Sequence, residues 1–568
     1  MNSSLLPLSG RIKGAVRERA ARAARRLGVQ RARPMPTVRV GVVETFERPW
    51  VEGWIAVPVG APAVPVSLRV NTTDVLTTWA SDPARRRVPK SDVRRFRFAV
   101  NSLWDYVGPE DRLSVVVDGA RLPIARHGTY YRPQADGGRP FAELTGKLRD
   151  GHVFSRTGWL QLSKKLDTAW QRRVMTQVGR VSEFVADRFG YAPFFVYGTL
   201  LGAVREGGVI GHDSDLDLAY VSTFSSGADA ARELRDIAFA LIENGYRVRA
   251  HRTHLRISSE IDGDPDTHVD LFHTYFDDEG VLRFPYGVAG STDVHKADWT
   301  GVHEIDFAGG TGMLPDCAEQ LAAALYGAGW RDPQPGFNWD RDRRTRATDA
   351  LLDPAWVQEV YWADFYEHTE YSTGSTFFEA VSRRPDVPPT VVDIGCGEGR
   401  DSFAFAAGGR RVFALDRSHV GIRHAEAKAD KLGLADRLTL RTCDVSDADA
   451  LAGALAEVRA AAGGEPILFY LRFVLHSITE QVQDTLLSVI GAAASAGDVF
   501  AAEFRTDLDE PIQKVHLNHY RRYQNGPAFG STLEHRYGFT LLHEEQGTGL
   551  SPYRGEDPHL YRVVARRG

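Results

Sequence analysis

Three aspartates at every second position, Asp213, Asp215 and Asp217, stand in the stretch YGTLLGAVREGGVIGHDSDLDL (residues 197–218), and a fourth, Asp270, interrupts the apolar run THVDLFHTYF. Residues two apart on a strand share a face, so the first three carboxylates are expected to project together. Charges packed this way repel unless a cation lies among them. Magnesium or manganese is the economical occupant, with Asp270 completing a two-metal site that stabilises attacking and leaving oxygens at once. A calcium loop or a noncatalytic relic is the alternative.

A second constellation, VVDIGCGEGR (residues 391–400), runs a buried strand into a turn with Gly395, Gly397 and Gly399. Those glycines let the backbone approach a ligand where a Cβ collides. The next strand, RVFALD, ends at Asp416, 23 residues after Asp393, where a carboxylate accepts the ribose hydroxyls of a nucleoside. A third strand, LTLRTCD, ends at Asp444, placed for an adenine edge. Downstream, Arg472 and His476 break the apolar run ILFYLRFVLHSI, and Glu503, Arg505, His519, Arg521 and Arg522 follow. Arginines lining a cleft suit an anionic acceptor, because the guanidinium fork binds phosphate bidentately; pairing with surface acids is the alternative. A hydroxyl acceptor needs a base, and His476 or His519 is the candidate.

These residues need elements to hold them. Short β-rich runs from Val38 to Ile124 read as an antiparallel β-sandwich. Its Trp50, Trp54 and Trp104 are expected in the core, with stacking on sugars as the alternative. A Gly-, Pro- and Arg-rich loop precedes helical text such as WQRRVMTQVGRVSEFVADRFG, then strand, loop and strand; from about residue 346 strands and helices alternate, the mark of a parallel α/β sheet. The expected domains are a basic amphipathic segment (1–35), a small β-sandwich (36–130), an α+β domain (131–345) and an α/β Rossmann-like domain (346–568). The segment from about residue 350 is expected to bind its cofactor by itself.

A length of 568 residues is too great for one core. The three cysteines, Cys317, Cys396 and Cys443, have no metal-ligand spacing and suit a reducing compartment. No apolar run reaches the roughly 18 residues of a membrane span. The net charge of −5 hides a segregation: residues 1–35 carry nine cations against Glu18, leaving −13 for the remainder. Such a basic helix either lies on anionic lipid or is simply solvated. The expectation is a cytoplasmic protein, peripheral at the inner face of the plasma membrane. A remainder this acidic offers a nucleic acid no electrostatic track, which argues against the competing reading of a nucleotidyltransferase joined to an RNA methyltransferase.

With these motifs in view, the chain between about residues 165 and 340 resembles the LicD family of nucleotidyltransferase-fold phosphotransferases, which includes phosphocholine transferases and fukutin-related proteins. GTLLGAVR, IGHDSDLDL, VDLF and the trailing ALYGAGWRDP, with Tyr326, Gly327, Trp330 and Pro333, carry the likeness. Gly211, His212 and Ser214 depart from the family's usual Pro, aromatic and Asp. The resemblance implies a CDP-linked donor, metals on Asp215 and Asp217, Asp270 aligning the acceptor oxygen, and donor phosphates on Gly198, Thr199 and Arg205. The C-terminal constellation resembles class I methyltransferases, implying S-adenosyl-L-methionine with Asp393 and the glycines beside its methionine part, Asp416 on its ribose, and Asp444 with Val445 at its adenine. The region after it is similar to methyltransferases of bacterial surface polysaccharides, and the β domain resembles modules on glycan-modifying enzymes. Together these resemblances imply a bifunctional enzyme acting on a glycan or lipid-linked glycan; a glycan-binding scaffold with only the methyltransferase active is the alternative.

Overall fold

The computed structural model describes residues 38, 40–213, 215–259, 267–286, 292–333, 349–368, 373–512, 514, 520–553 and 555–568. The basic segment 1–35, Ser214 and His519 lie outside them. One compact unit extends to Ser163, and a second begins at Lys164. Among the described residues no helix is long and apolar enough to cross a membrane.

The first unit holds two four-stranded antiparallel sheets, one built on Val40–Phe46, Trp50–Pro58 and Ser91–Ala99, the other on Thr73–Ala80, Val64–Val70 and Leu113–Val117. Val43, Val51, Ile55, Phe96 and Phe98 from one sheet share a core with Val66, Leu68 and Val115 from the other. The period-two alternation that buries Val51 and Ile55 turns Trp50 and Trp54 to the opposite face, where both are half-buried. The core expectation is therefore corrected for these two. Arg97 lies 4.9 Å over the Trp50 ring and Arg86 5.5 Å over that of Trp54. Trp104 does pack against the core, edge-on to Phe46.

In the second unit the first sheet runs Phe194–Phe195, Leu216–Ser222, Val269–Phe276, Leu255–Ser259, Tyr246–Ala250, with Leu282–Arg283 pairing alongside Val269–Phe276. Its central strand Val269–Phe276 is buried along its whole length and lies parallel to Leu216–Ser222, with Asp217 opposite Asp270. Helices Thr168–Phe189 and Gly227–Glu243 pack on this sheet. Asp167 caps the first helix by accepting from the Trp170 N–H, and Gly190 ends it in a left-handed conformation.

The second sheet has seven strands. Numbered along the chain, Thr390–Ile394, Arg411–Asp416, Leu438–Thr442, Ile467–Arg472, Val499–Arg505, Phe539–Gly547 and Leu560–Arg567 lie in the order 3-2-1-4-5-7-6. The first five are parallel, and the last strand is antiparallel to both of its neighbours. Near-continuous apolar runs such as ILFYL form the strands because helices cover both faces. Asp498 holds the start of strands four and five together: fully buried, it accepts from the Ile467 and Ser495 N–H groups, each at 2.7 Å, and pairs with Arg459. Asp498→Ala leaves two amides without this acceptor and takes its carboxylate from the part-buried Arg459 guanidinium, which keeps the Glu465 and Ala493 carbonyls. It should lower unfolding free energy by about 3 kcal/mol in urea titrations, and a loss below 1 kcal/mol would show that water replaces the carboxylate.

Candidate active sites

The carboxylates of the first sheet are gathered by a strained turn. Tyr197 opens the helix Tyr197–Glu206 at φ +46°, unusual for a residue with a Cβ. That turn brings Gly198 against the acids: a Cβ there would lie 2.7 Å from Asp213 Oδ2 and 3.6 Å from Asp217 Oδ2. Only glycine fits. The Gly198 N–H donates to the Asp217 carboxylate. Thr199 is buried and its hydroxyl accepts from the Asp217 N–H at 2.8 Å, so in this structure it braces the strand that carries the acid. Arg205 pairs with Glu206 at 2.6 Å.

The acids do not form one row. The strand begins at Leu216, so Asp217 alone of the three is on it, while Asp213 and Asp215 precede it and their carboxylates diverge. Asp213 turns toward Gly198, whereas Asp215 meets Arg256 at 3.1 Å and His268 Nε2 at 3.6 Å. Asp270 is buried and takes a two-pronged contact from Arg256, Nε to Oδ1 at 2.9 Å and Nη2 to Oδ2 at 2.8 Å. Burial and then the charges of Asp215, Asp213 and Asp270 push Asp217 well above the usual carboxylate range. Tyr326, from the trailing motif, returns to this cluster, its hydroxyl pushed up by burial and by Asp217.

Ligand atoms of Asp215, His268 and Asp270 all lie within 4.8 Å of one another. That donor set fits a divalent cation, and the imidazole nitrogen suits manganese or zinc better than magnesium. His268 and Arg256 were missed as site residues in the sequence; the signal available for the first was an ionisable residue two positions before Asp270. His254, 3.4 Å from Asp270, is pushed down to about 4 by burial and so is neutral.

In the second sheet Gly395, Gly397 and Gly399 all have left-handed φ, at +75°, +60° and +82°. The nearest obstacle to a side chain at the first two is the protein itself. A Cβ at Gly395 would lie 2.3 Å from Val474, and one at Gly397 2.6 Å from the Tyr366 ring. Asp416 accepts from the Gly397 N–H at 2.9 Å and the Ser418 N–H at 2.8 Å, tying the turn to the end of the next strand. Asp393 accepts from the Ser402 hydroxyl at 2.6 Å, and burial pushes its carboxyl up to about 7. Asp444 accepts from the Ser446 N–H at 2.8 Å. These groups border a cavity of about 690 Å³ that Asp393, Gly395, Gly397, Asp416, Asp444 and Val445 line on one side. Asp401 was missed by the sequence reading; it too lines the cavity and accepts from Ser375 and from the Tyr470 hydroxyl.

Of the acceptor-side residues, Arg472, His476, Arg505 and Arg521 line the cavity. Two of those arginines already have acids. Arg472 donates to Glu503 at 3.2 Å, and Arg505 pairs with Asp509 and Glu556. Arg522 turns elsewhere, donating to Gln483, Gln524 and the Leu475 carbonyl. The picture of four arginines awaiting an anion is thereby corrected, because burial obliges each guanidinium to find an acceptor. Burial, and after it the charge of Arg505, holds the proton affinity of Arg521 down. His476 is buried, its Nδ1 accepting from the Arg505 N–H at 3.4 Å.

A carboxylate cluster thus stands on one sheet and a glycine-looped, acid-ended cavity on another. The LicD/FKTN/FKRP nucleotidyltransferase domain matches residues 190–316, and a methyltransferase domain matches residues 388–454. The chain thus joins a LicD-family domain to a methyltransferase domain. Similar solved structures include a SAM-dependent methyltransferase from Anabaena variabilis (16% identity, 37% of this chain and 93% of that one, TM-score 0.29). TehB from Haemophilus influenzae is another (12%, 37% and 67%, TM-score 0.28). The glycopeptide N-methyltransferase MtfA complexed with S-adenosyl-L-methionine is a third (16%, 35% and 96%, TM-score 0.27). A search of curated proteins finds no match.

Two outcomes test these sites. If His268 is a ligand, His268→Ala should weaken manganese binding roughly tenfold or more by calorimetry; unchanged affinity would leave the nitrogen outside the coordination shell. For Asp393, burial pushes the folded carboxyl up to about 7 from its ordinary 3.8. The folded state therefore keeps a proton that the unfolded state has released, and stability falls as pH rises through that window. Asp393→Asn should gain on wild type by a few kcal/mol between about pH 4 and pH 7 in thermal melts, and parallel curves would place the charge elsewhere.

Proposed function

We propose that this chain is a bifunctional enzyme that modifies a glycan or lipid-linked glycan, transferring a phosphoryl-alcohol unit from a CDP-linked donor with one domain and a methyl group from S-adenosyl-L-methionine with the other. The observation that carries this reading is the cavity of about 690 Å³, into which the acid ends of three adjacent parallel strands and the glycine turn converge. Its size is that of a pocket for a cofactor-sized molecule.

S-adenosyl-L-methionine supplies a methyl group already activated on a sulfonium. Asp416, anchored by two backbone amides, keeps lone pairs for the ribose hydroxyls, and Asp444 with Val445 borders the adenine. Asp393 and the glycine turn flank the methionine part. Aromatic residues of the helix Pro354–Glu367 wall the cavity and exclude water, so the chain contributes alignment and desolvation. Arg521, a cation in the cavity lining, supports an acceptor carrying phosphate. A phosphate oxygen needs no base, and a hydroxyl would turn to His476.

A divalent cation at Asp215, His268 and Asp270 supplies Lewis acidity to a phosphoryl oxygen. Asp217 faces the same space across the parallel strand pair, and Gly198 presents its N–H beside it. Arg256 balances Asp215 and Asp270 and can release either to a metal. We assign the enzyme to the cytoplasm, peripheral at the inner face of the plasma membrane through its basic first 35 residues, with no nucleic acid as partner.

Calorimetry on the full chain tests the reading. S-adenosyl-L-methionine should bind at micromolar affinity, weakened by about 2 kcal/mol in Asp416→Ala. Asp217→Asn should abolish metal-dependent turnover of CDP-alcohols while leaving that affinity unchanged. Absence of binding to the wild type would remove the methyl-donor half.

A further inference from the structure

The helix Pro354–Glu367 belongs to both catalytic bodies. Val360 and Ala363 are buried in the core of the LicD-family sheet, and Trp356 and Val357 pack against it. Gln358, Trp362, Phe365 and Tyr366 line the methyltransferase cavity. At 100° per residue these sets fall on opposite sides of the helix, which explains why its apolar residues are not confined to one stripe.

The LicD-family side grips it with directed bonds. Asp364 accepts from the Val248 N–H at 2.8 Å, on the edge strand Tyr246–Ala250, and Arg247 reaches it at 3.5 Å. Arg235, on the helix Gly227–Glu243, lies 4.9 Å over the Trp356 ring. The approach to the helix is fastened as well: the Leu352 N–H donates to the Arg252 carbonyl at 2.8 Å, and buried His273 contacts the Ala350 carbonyl at 2.9 Å. From the methyltransferase side, Val420 at the start of the helix His419–Leu432 enters the same core, and His419 stacks edge-on with Phe239.

On the opposite face Tyr366 is wedged against the glycine turn. Its ring would lie 2.6 Å from a Cβ at Gly397 and 3.1 Å from one at Gly421. Gly397 is the residue whose N–H donates to Asp416.

We infer that the LicD-family domain is a structural part of the methyltransferase cofactor site: by holding the helix Pro354–Glu367 through Asp364 and Trp356, it seats Tyr366 against Gly397 and Trp362 in the cavity wall. Asp364 and Trp356 are positioning residues for methyl transfer that touch neither cofactor nor acceptor. The inference rests on the cavity binding S-adenosyl-L-methionine. It also means that a segment starting near residue 350 exposes the apolar face of this helix and loses the wall it supports, against the expectation that such a segment binds cofactor alone.

The test uses the full chain. Asp364→Ala should raise the Kd for S-adenosyl-L-methionine at least tenfold by calorimetry, and Asp364→Asn, which keeps an acceptor for the Val248 N–H, should recover most of that loss. S-adenosylhomocysteine should slow hydrogen exchange in a peptide spanning Tyr246–Ala250 in the wild type and fail to do so in Asp364→Ala, a change that general destabilisation does not produce. If Asp364→Ala does not fold, Trp356→Ala carries the same two measurements. Wild-type binding with equal affinity in the variant, or a bound ligand that leaves exchange at Tyr246–Ala250 unchanged, overturns the inference. Absence of wild-type binding instead overturns the cofactor reading on which it stands.

Discussion

Dehydrating a carboxylate is expensive, and both sites are built around acids that have lost most of their water. Each such acid dictates its surroundings. Asp217 takes the Gly198 amide, Asp270 takes the fork of Arg256, Asp393 takes the Ser402 hydroxyl, and Asp416 takes two backbone amides. Where the compensation falls short the acid holds its proton more tightly, as Asp217 and Asp393 do. Strands that deliver acids to one end of a parallel pair therefore demand donors on the turns that follow, and those turns become the walls of the sites.

The same requirement accounts for the glycine positions. A Cβ at Gly198 would meet the Asp213 carboxylate, and one at Gly397 the ring of Tyr366. Backbone amides bared by glycine are the compact donors able to approach a buried acid. The strained Tyr197 φ and the left-handed glycines of the second sheet serve this end.

Joining the two domains through a helix with two apolar faces replaces a flexible tether with a shared wall. Val360 and Ala363 gain burial from one body while Trp362 and Tyr366 gain it from the other, so each body stabilises an element the other uses. The β unit ending at Ser163 has its own core.

Much of this was legible in the residues themselves. Strand-end acids, glycine turns and alternating apolar runs are local features, set by spacing along one segment, and they single out Asp217, Asp270, Asp393, Asp416 and Asp444 by type and spacing alone. Partners were not legible, because a partner comes from elsewhere in the chain. Arg256 reaches Asp215 across 41 positions, and Glu503 lies 31 from Arg472 and 59 from Arg562. Two of the arginines that read as an anion cradle, Arg472 and Arg505, are therefore engaged by acids that only the folded sheet brings beside them. Trp50 and Trp54 show the same divide: their alternation with Val51 and Ile55 was plain, but which face of the strand meets the core depended on the second sheet. The sequence by itself determined which residues can do chemistry, since that is a property of type and local spacing. Tertiary structure decided which remain available for it and that one helix serves two sites, since charge compensation and burial are settled between segments far apart in the chain.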